Sequence, residues 1–203
     1  MNLCAGTNCV SSKQNSWTWA LSSSGHFTVK TLSRIIEDQM LPSSLGIEET
    51  NRSNLLPKKL EVFVWRAIKK RIPVRHELDK RGIDLHSVRC PLCDDDVETI
   101  EHSLIFCKYA MDVWNRVYSW CGLGNFSNLS ISEILRGNTT VEMSKLGRKI
   151  WQAIEWVTSY FVWKNRNNKV FRDKAWTSPM TLSEIQLKSF EWISYRLKGK
   201  TLD

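Results

Sequence analysis

The sequence from residue 90 to residue 107 reads CPLCDDDVETIEHSLIFC and spaces three cysteines and one histidine as C-x2-C-x8-H-x4-C. Two cysteines two residues apart can direct both sulfurs at one ion, because a tight turn joins them and Pro91 stiffens it. His102 and Cys107 are close enough in sequence to supply a second ligand pair. Four such ligands complete a tetrahedral shell with no position left for water. The spacing therefore predicts one structural Zn²⁺ per chain, bound by Cys90, Cys93, His102 and Cys107.

The alternative is that these residues are unrelated buried thiols and a polar histidine, which a single C-x-x-C pair would not exclude. Two ligand pairs at workable spacing favour zinc. Residues 1–16 lack the basic start and apolar run of a secretory signal, so we expect an intracellular protein that is not secreted, with the nucleus as one possible location. In a reducing compartment, cysteines indicate metal sites or free thiols rather than disulfides.

The acidic residues between the two ligand pairs admit a catalytic interpretation, because paired carboxylates hold the metals of nucleases and polymerases. Three adjacent aspartates on a loop, Asp94 to Asp96, cannot point at one place. The pattern favours a solvated loop tip for them and for Glu98 and Glu101. The chain shows no glycine-rich phosphate loop and no serine, histidine and acid set. We expect no enzymatic activity and no small-molecule substrate.

Apolar residues at helical spacing dominate the rest of the chain. They predict a helix capped by Thr28, and further helices at 60–68, 74–81, 109–120, about 146–167 and from Pro179 onwards. Two alternating runs, Trp17 to Leu21 and His26 to Val29, flank a serine and glycine loop and predict a β-hairpin. The predicted fold class is mainly α with a short N-terminal β-hairpin, in which a small zinc-stabilised module precedes a helical pair.

The same patterns suggest four regions. We expect a disordered N-terminus at 1–15, a zinc-binding domain at 16–122, a connection at 123–142 and a C-terminal helical region at 143–203. The longest apolar runs are far shorter than the roughly 20 residues that span a bilayer, so no membrane association is expected. Most of the ten tryptophans are expected in the core. Those on apolar helix faces are Trp65, Trp114, Trp151 and Trp192.

Positive charge is concentrated just before the cysteine cluster. The chain has a formal net charge of +8, and residues 57–89 contain ten lysines and arginines against four acidic residues. Such a stretch suits an anionic partner, most often nucleic acid. The candidate contacts are Lys58, Lys59, Arg66, Lys69, Lys70, Arg71, Arg75, Lys80 and Arg81. The alternative is that Lys69 to Arg71 only cap the end of a helix, where cations are favoured for their own sake. The next candidates are then Lys164, Arg166, Lys169 and Arg172.

Several motifs in order resemble the zinc-binding domain of plant LINE-type, non-LTR retrotransposon reverse transcriptases. They are the run from Trp17 to Lys30, the segment PKKLEVFVWRA at 57–67, the basic stretch that ends in LDKRG at 78–82, and the ligand cluster continued by AMDVW at 110–114. The likeness spans about residues 16–122. A weaker likeness continues through 150–151 and 163–171 to the helical region that follows this domain in such elements.

The resemblance implies a non-catalytic module of a retroelement polyprotein that assists binding of RNA or single-stranded DNA. No Tyr-x-Asp-Asp motif occurs, so the polymerase activity of such elements is not carried over. A protein interaction or scaffold domain, or an inactive retroelement fragment, is the alternative. Protein partners cannot be read from the sequence.

Overall fold

The computed structural model describes residues 17–20, 23–40, 53–126, 129–137 and 142–197. The chain separates into two compact units, Met1–Glu48 and Glu49–Asp203. The stretch 1–15, for which disorder is predicted, lies outside the described residues. Within the described ranges, no helix is long and apolar enough to cross a membrane.

The first unit contains helix α1, Val29–Met40. The side-chain oxygen of Thr28 accepts a hydrogen bond from the backbone N–H of Thr31 at 3.1 Å, so the predicted N-cap is confirmed. The predicted β-hairpin is wrong for the part of this region that the structure describes. Residues 17–20 and 23–28 form no strand there, and Val29 opens the helix instead. One backbone hydrogen bond, from Trp19 N–H to Gly25 O at 2.8 Å, closes the turn.

The second unit is helical around the cysteine cluster. Its elements are α2, Lys58–Ile68; α3, Arg75–Asp79; a π-helical turn, His102–Phe106; α4, Lys108–Trp120; α5, Ile131–Arg136; α6, Lys145–Arg172; and α7, Ser178–Leu197. The predicted helices are confirmed, although α3 is shorter than the pattern suggested and α6 continues five residues beyond Asn167. The connection expected at 123–142 contains α5, which was not among the predicted helices.

Local signals fix the ends of α5. The hydroxyl of Ser130 accepts the N–H of Glu133 at 3.2 Å, and the carboxylate of Glu133 accepts the N–H of Ser130 at 2.8 Å, which is a complete capping box. Gly137 ends the helix in the left-handed conformation with φ of 72°, where a β-carbon would be strained and would meet the side chain of Gln152.

One hydrophobic core runs through residues 55–193 of the second unit. Helix α6 contacts α2, α4, α5, α7 and the π-helical turn. Trp114 and Trp151 are buried as expected, and Trp156 donates its indole N–H to Leu135 O at 2.9 Å from within the core. The cysteine cluster and the C-terminal helices therefore share a core. The region boundaries drawn from the sequence stay a prediction about how the chain is organised.

Candidate metal centre and nucleic-acid surface

The first ligand pair lies in a short loop that folds back on itself. Arg89 and Val97 form an isolated antiparallel bridge, the N–H of Cys90 donates to Asp96 O at 2.7 Å, and the N–H of Asp94 donates to Cys90 O at 2.9 Å. Asp94 has φ of 56°, a left-handed conformation that aspartate tolerates better than most residues. This tight turn brings the sulfurs of Cys90 and Cys93 to one side of the loop.

The second pair is held at the two ends of the π-helical turn. The N–H of His102 donates to the Thr99 hydroxyl at 3.0 Å, and the N–H of Cys107 donates to His102 O at 2.7 Å. Cys107 is also the N-cap of α4, immediately before its first residue. The indole of Trp114 on α4 donates to Leu104 O at 2.8 Å and fixes the turn against that helix.

The four ligand atoms lie within 4.8 Å of one another. The sulfurs of Cys90 and Cys107 are 3.8 Å apart, and Cys93 Sγ is 3.3 Å from His102 Nε2. A tetrahedral shell with Zn–S bonds of about 2.3 Å has an S–S edge of about 3.8 Å, so the spacing fits zinc. Cys90 and Cys107 are fully buried and His102 is 8% exposed. These four residues form a site for one structural zinc ion, as the sequence predicted.

Groups around the ligands support the site. Asp96 Oδ2 lies 3.8 Å from His102 Nδ1, which leaves Nε2 of the same ring facing the sulfurs. In the metal-free chain, the hydrogen bond between these two buried thiols lowers the pKa of Cys107 and raises that of Cys90. Lys108, at the start of α4, pairs with Asp95 at 2.7 Å and lowers the pKa of that carboxyl. The acidic loop is thereby held against α4.

Glu98 does not belong to a solvated loop tip, and that expectation is wrong for this residue. Its carboxylate is fully buried and receives Nε and a terminal nitrogen of Arg166, both at 2.5 Å, in a bidentate ion pair. It also accepts the backbone N–H of Arg75 at 2.8 Å. Arg166 lies 68 positions away on α6, so no local sequence signal could have shown this pairing.

The other acidic residues of the loop are either exposed or, like Glu98, bonded to the rest of the protein. Asp94, Asp95 and Asp96 are exposed, as a loop tip requires. Glu101 is half-buried, and its carboxylate accepts the N–H of Ile131 at 2.9 Å, at the first residue of α5. Glu98 and Glu101 are therefore structural groups that tie the loop between the ligand pairs to α6 and α5.

The candidate nucleic-acid residues lie between Lys58, at the start of α2, and Arg81, two residues after α3, and all but the half-buried Arg75 are exposed. Several already have partners. Lys58 pairs with Glu61 at 2.9 Å, Lys80 pairs with Glu77 at 3.4 Å, and Arg75 donates to a backbone carbonyl at 2.7 Å. The ammonium of Lys59 lies over two aromatic rings of α6 and α7.

The cations that remain lie at the end of α2 and just after α3. Among the described residues, the side chains of Lys69, Lys70 and Arg81 have no ion-pair or hydrogen-bond partner. Lys70 and Lys80 also line one cavity of about 180 Å³, together with the acidic Glu77 and Glu101, so two cations separated in sequence lie near each other in space. The guanidinium of Arg71 lies 5.6 Å from the ring centre of Trp65.

The alternative C-terminal cations are less available. Arg166 is 3% exposed and committed to Glu98. Lys169 pairs with Asp173 at 2.6 Å, and the ammonium of Lys164 lies 5.0 Å from the ring centre of Trp176. Only Arg172 of this set is exposed without a partner among the described residues.

Two comparisons with known proteins found similarities to this chain. Residues 27–114 match the family described as zinc-binding in reverse transcriptase. This part of the chain is therefore similar to a reverse transcriptase zinc-binding domain. The chain is also 22% identical over 177 residues to a putative ribonuclease H protein of Arabidopsis thaliana.

That second match covers 82% of this chain and 27% of the relative, so the chain spans about a quarter of the relative's length. No solved structure gives a significant match. The zinc-binding domain and this relative agree with a retroelement origin. The matched domain ends within α4, so α6 and α7, which complete the core, lie outside it.

Proposed function

We propose that the chain is a non-catalytic module of a plant LINE-type reverse transcriptase that binds RNA or single-stranded DNA through its basic segment, residues 58–81. The observation that carries the proposal is the group of exposed, unpaired cations at the end of α2 and after α3. Cations without acidic partners are available to neutralise phosphates, which supply most of the affinity in non-specific nucleic-acid binding.

The packing of this segment supports the assignment, because it holds the cations in place. Helix α2 buries Leu60, Phe63, Val64 and Ala67 in the core, so the cations that follow it start from a fixed position. The N–H of His76 donates to Glu98 O at 3.3 Å, which attaches α3 to the loop between the zinc ligands. Long basic side chains on a fixed base can reach neighbouring phosphates together.

Charge reversal tests the proposed surface. Changing Lys69, Lys70 and Arg71 to Glu should weaken binding of RNA and single-stranded DNA alike. It should also flatten the salt dependence by about 0.7 for each phosphate of a single strand that the variant no longer neutralises. Fluorescence anisotropy titrations at several salt concentrations measure both quantities, with duplex DNA as a further ligand.

A matched control uses Lys145, Arg148 and Lys149, which are exposed cations at the start of α6. Their change to Glu alters the net charge by the same amount and places acidic residues at a helix N-terminus, where they are favoured. Because these three residues lie outside the proposed surface, the change should reduce affinity far less. Equal effects of the two triple variants would mean that general charge, and no particular surface, governs binding.

The same proposal includes the absence of catalysis. Three thiolates and one imidazole close the zinc shell and leave no position for a reacting water. The described carboxylates near the ion are tied to protein partners or exposed separately on the loop. Purified protein supplied with primed template, nucleotides and Mg²⁺ should leave the primer unextended and labelled RNA in hybrids uncut. Product formation that follows the protein through purification would refute this part.

A second candidate function, a protein interaction module, has its own supporting observation. Helix α7 exposes Leu187, Phe190 and Tyr195 at 56%, 75% and 79%. Exposed large apolar groups on one helix are typical of protein contacts. If the chain binds no single-stranded nucleic acid in a salt-dependent manner, this function takes precedence.

A further inference from the structure

Trp65 is on the surface, although its position in an apolar run suggested the core. Its side chain is 40% exposed, and Val62, one turn earlier on α2, is 56% exposed. Residues three, four and seven apart share a helix face, so Val62, Trp65, Arg66 and Lys69 form one outward strip. The opposite face of α2 carries the buried residues. An apolar ring thus lies within the most basic part of the surface.

We propose that Trp65 is a stacking platform for an unpaired nucleobase, and that Arg66, Lys69 and Arg71 hold the phosphates beside that base. The inference rests on the proposed function, since nucleic acid must bind this segment. It adds a site that selects single strands, because a base within a duplex does not offer its face to a protein ring. Stacking tolerates every base, so little sequence preference is expected.

The surroundings of Trp65 favour this role. The guanidinium of Arg71 lies 5.6 Å from the ring centre, close enough for a cation–π contact. A terminal nitrogen of Arg66 donates to Arg71 O at 3.4 Å and links the end of α2 to the residues that follow. A base stacked on the indole therefore has cations on hand for its phosphates. Proteins that bind single strands without sequence preference combine these two elements.

Trp120 offers a matched comparison within the same unit. It is 42% exposed, nearly the same fraction as Trp65, but it lies at the end of α4. The cation one turn before it, Arg116, is paired with Asp112 at 3.0 Å. Trp120 therefore has the exposure of Trp65 without free cations beside it on its helix.

The experiment compares the wild-type chain with Trp65→Ala, Trp65→Phe, Trp65→Lys and Trp120→Ala. Two labelled ligands are used, a 12-nucleotide oligothymidine and an abasic strand of equal length with the same phosphates. Trp65→Ala should bind the oligothymidine about tenfold more weakly with an unchanged salt slope, because stacking releases no counterions. It should bind the abasic strand as the wild type does. Trp65→Phe should retain most of the affinity and Trp120→Ala all of it.

Trp65→Lys keeps a long, solvent-compatible side chain and guards against misfolding of the alanine variant. It should lower the ratio of oligothymidine to abasic affinity while strengthening binding of the abasic strand. Zinc content and thermal unfolding check that each variant is folded. An unchanged affinity ratio in folded Trp65 variants, with steep salt dependence retained, overturns the stacking site and leaves the proposed function standing. Absence of salt-dependent binding by the wild type removes the proposed function and this inference together.

Discussion

Glu98 and Glu155 are both fully buried carboxyl groups, yet they are in opposite situations. Glu98 is compensated by Arg166 and by a backbone N–H. Neither side-chain oxygen of Glu155 has a hydrogen-bond partner among the described residues. Burial disfavours the charged form and raises the pKa of Glu155 to about 9, although the nearby indole N–H of Trp151 acts in the opposite direction. Glu155 is therefore neutral in the folded chain at pH 7, whereas Glu98 is held by a cation.

This difference predicts a pH dependence of stability. In the unfolded chain, a glutamate has a pKa of about 4.3 and loses its proton at a lower pH than Glu155 does in the folded chain. The contribution of Glu155 to wild-type stability therefore falls as the pH rises from about 4.3 to 9. At pH 7 the cost is about 3–4 kcal/mol. Glu155→Gln cannot ionise, so its free energy of unfolding relative to that of the wild type should rise by about 1.4 kcal/mol per pH unit between pH 6 and 8. Urea unfolding of both proteins at each pH measures the gain.

Comparing the two proteins at each pH removes contributions that they share, including the zinc ligands. Glu142→Gln, just before α6, serves as the control, because that carboxyl is exposed and its replacement should change stability equally at every pH. A constant difference between wild type and Glu155→Gln across pH 6–8 would show that Glu155 is ionised in the folded chain.

At the scale of secondary-structure elements, apolar periodicity predicted the helices well because each buries one face. The positions of α2, α4, α6 and α7 follow from this pattern. The hairpin prediction failed because alternation over only four or five residues is a weak strand signal, and Thr28, within the second run, caps a helix that begins at Val29. Periodicity places Trp65 in an apolar run, but it cannot show that part of that run faces solvent.

The zinc ligands were predictable because sequence spacing alone constrains them. The π-helical turn between His102 and Cys107 was not, since nothing in its composition distinguishes it from an ordinary helical turn. Both ends of this turn carry zinc ligands, so we expect the metal to stabilise its position, because metal binding contributes directly to folding in such sites. Replacement of a zinc ligand should therefore destabilise this loop.

We predict that Cys93→Ser with Cys107→Ser abolishes zinc binding, because each ligand pair then retains only one ligand. Native mass spectrometry should show one zinc ion in the wild type and none in the variant. Chelation of the wild type should increase amide hydrogen exchange across residues 90–107. Cys121→Ser, which changes a cysteine outside the cluster, should keep its zinc. A full complement of zinc in the double variant would mean that other residues hold the ion.

At the scale of the whole molecule, the ion pair between Glu98 and Arg166 connects the zinc loop to the longest helix. Arg166 also stacks over Trp163, with 4.9 Å from the guanidinium carbon to the ring centre. The sequence could not show this link, since an acidic run and a cluster of polar residues on α6 each indicate a solvated surface on their own. The pair makes the position of α6 and the shape of the metal loop depend on one another.

Arg166→Met tests this dependence. Removal of one partner leaves Glu98 as an uncompensated buried charge, which costs about 3–5 kcal/mol. Because Glu98 lies between the ligand pairs, zinc affinity should fall as well. Adding Glu98→Leu to Arg166→Met should recover much of the stability, since a buried pair replaced by apolar groups costs little. The exposed ion pair between Arg116 and Asp112 provides the control, and Arg116→Met should lower the free energy of unfolding by less than about 1 kcal/mol. Urea unfolding measures the loss of stability, and competition with a zinc chelator measures the loss of zinc affinity. Unchanged zinc affinity in a destabilised Arg166→Met variant would show that the metal loop does not depend on the position of α6.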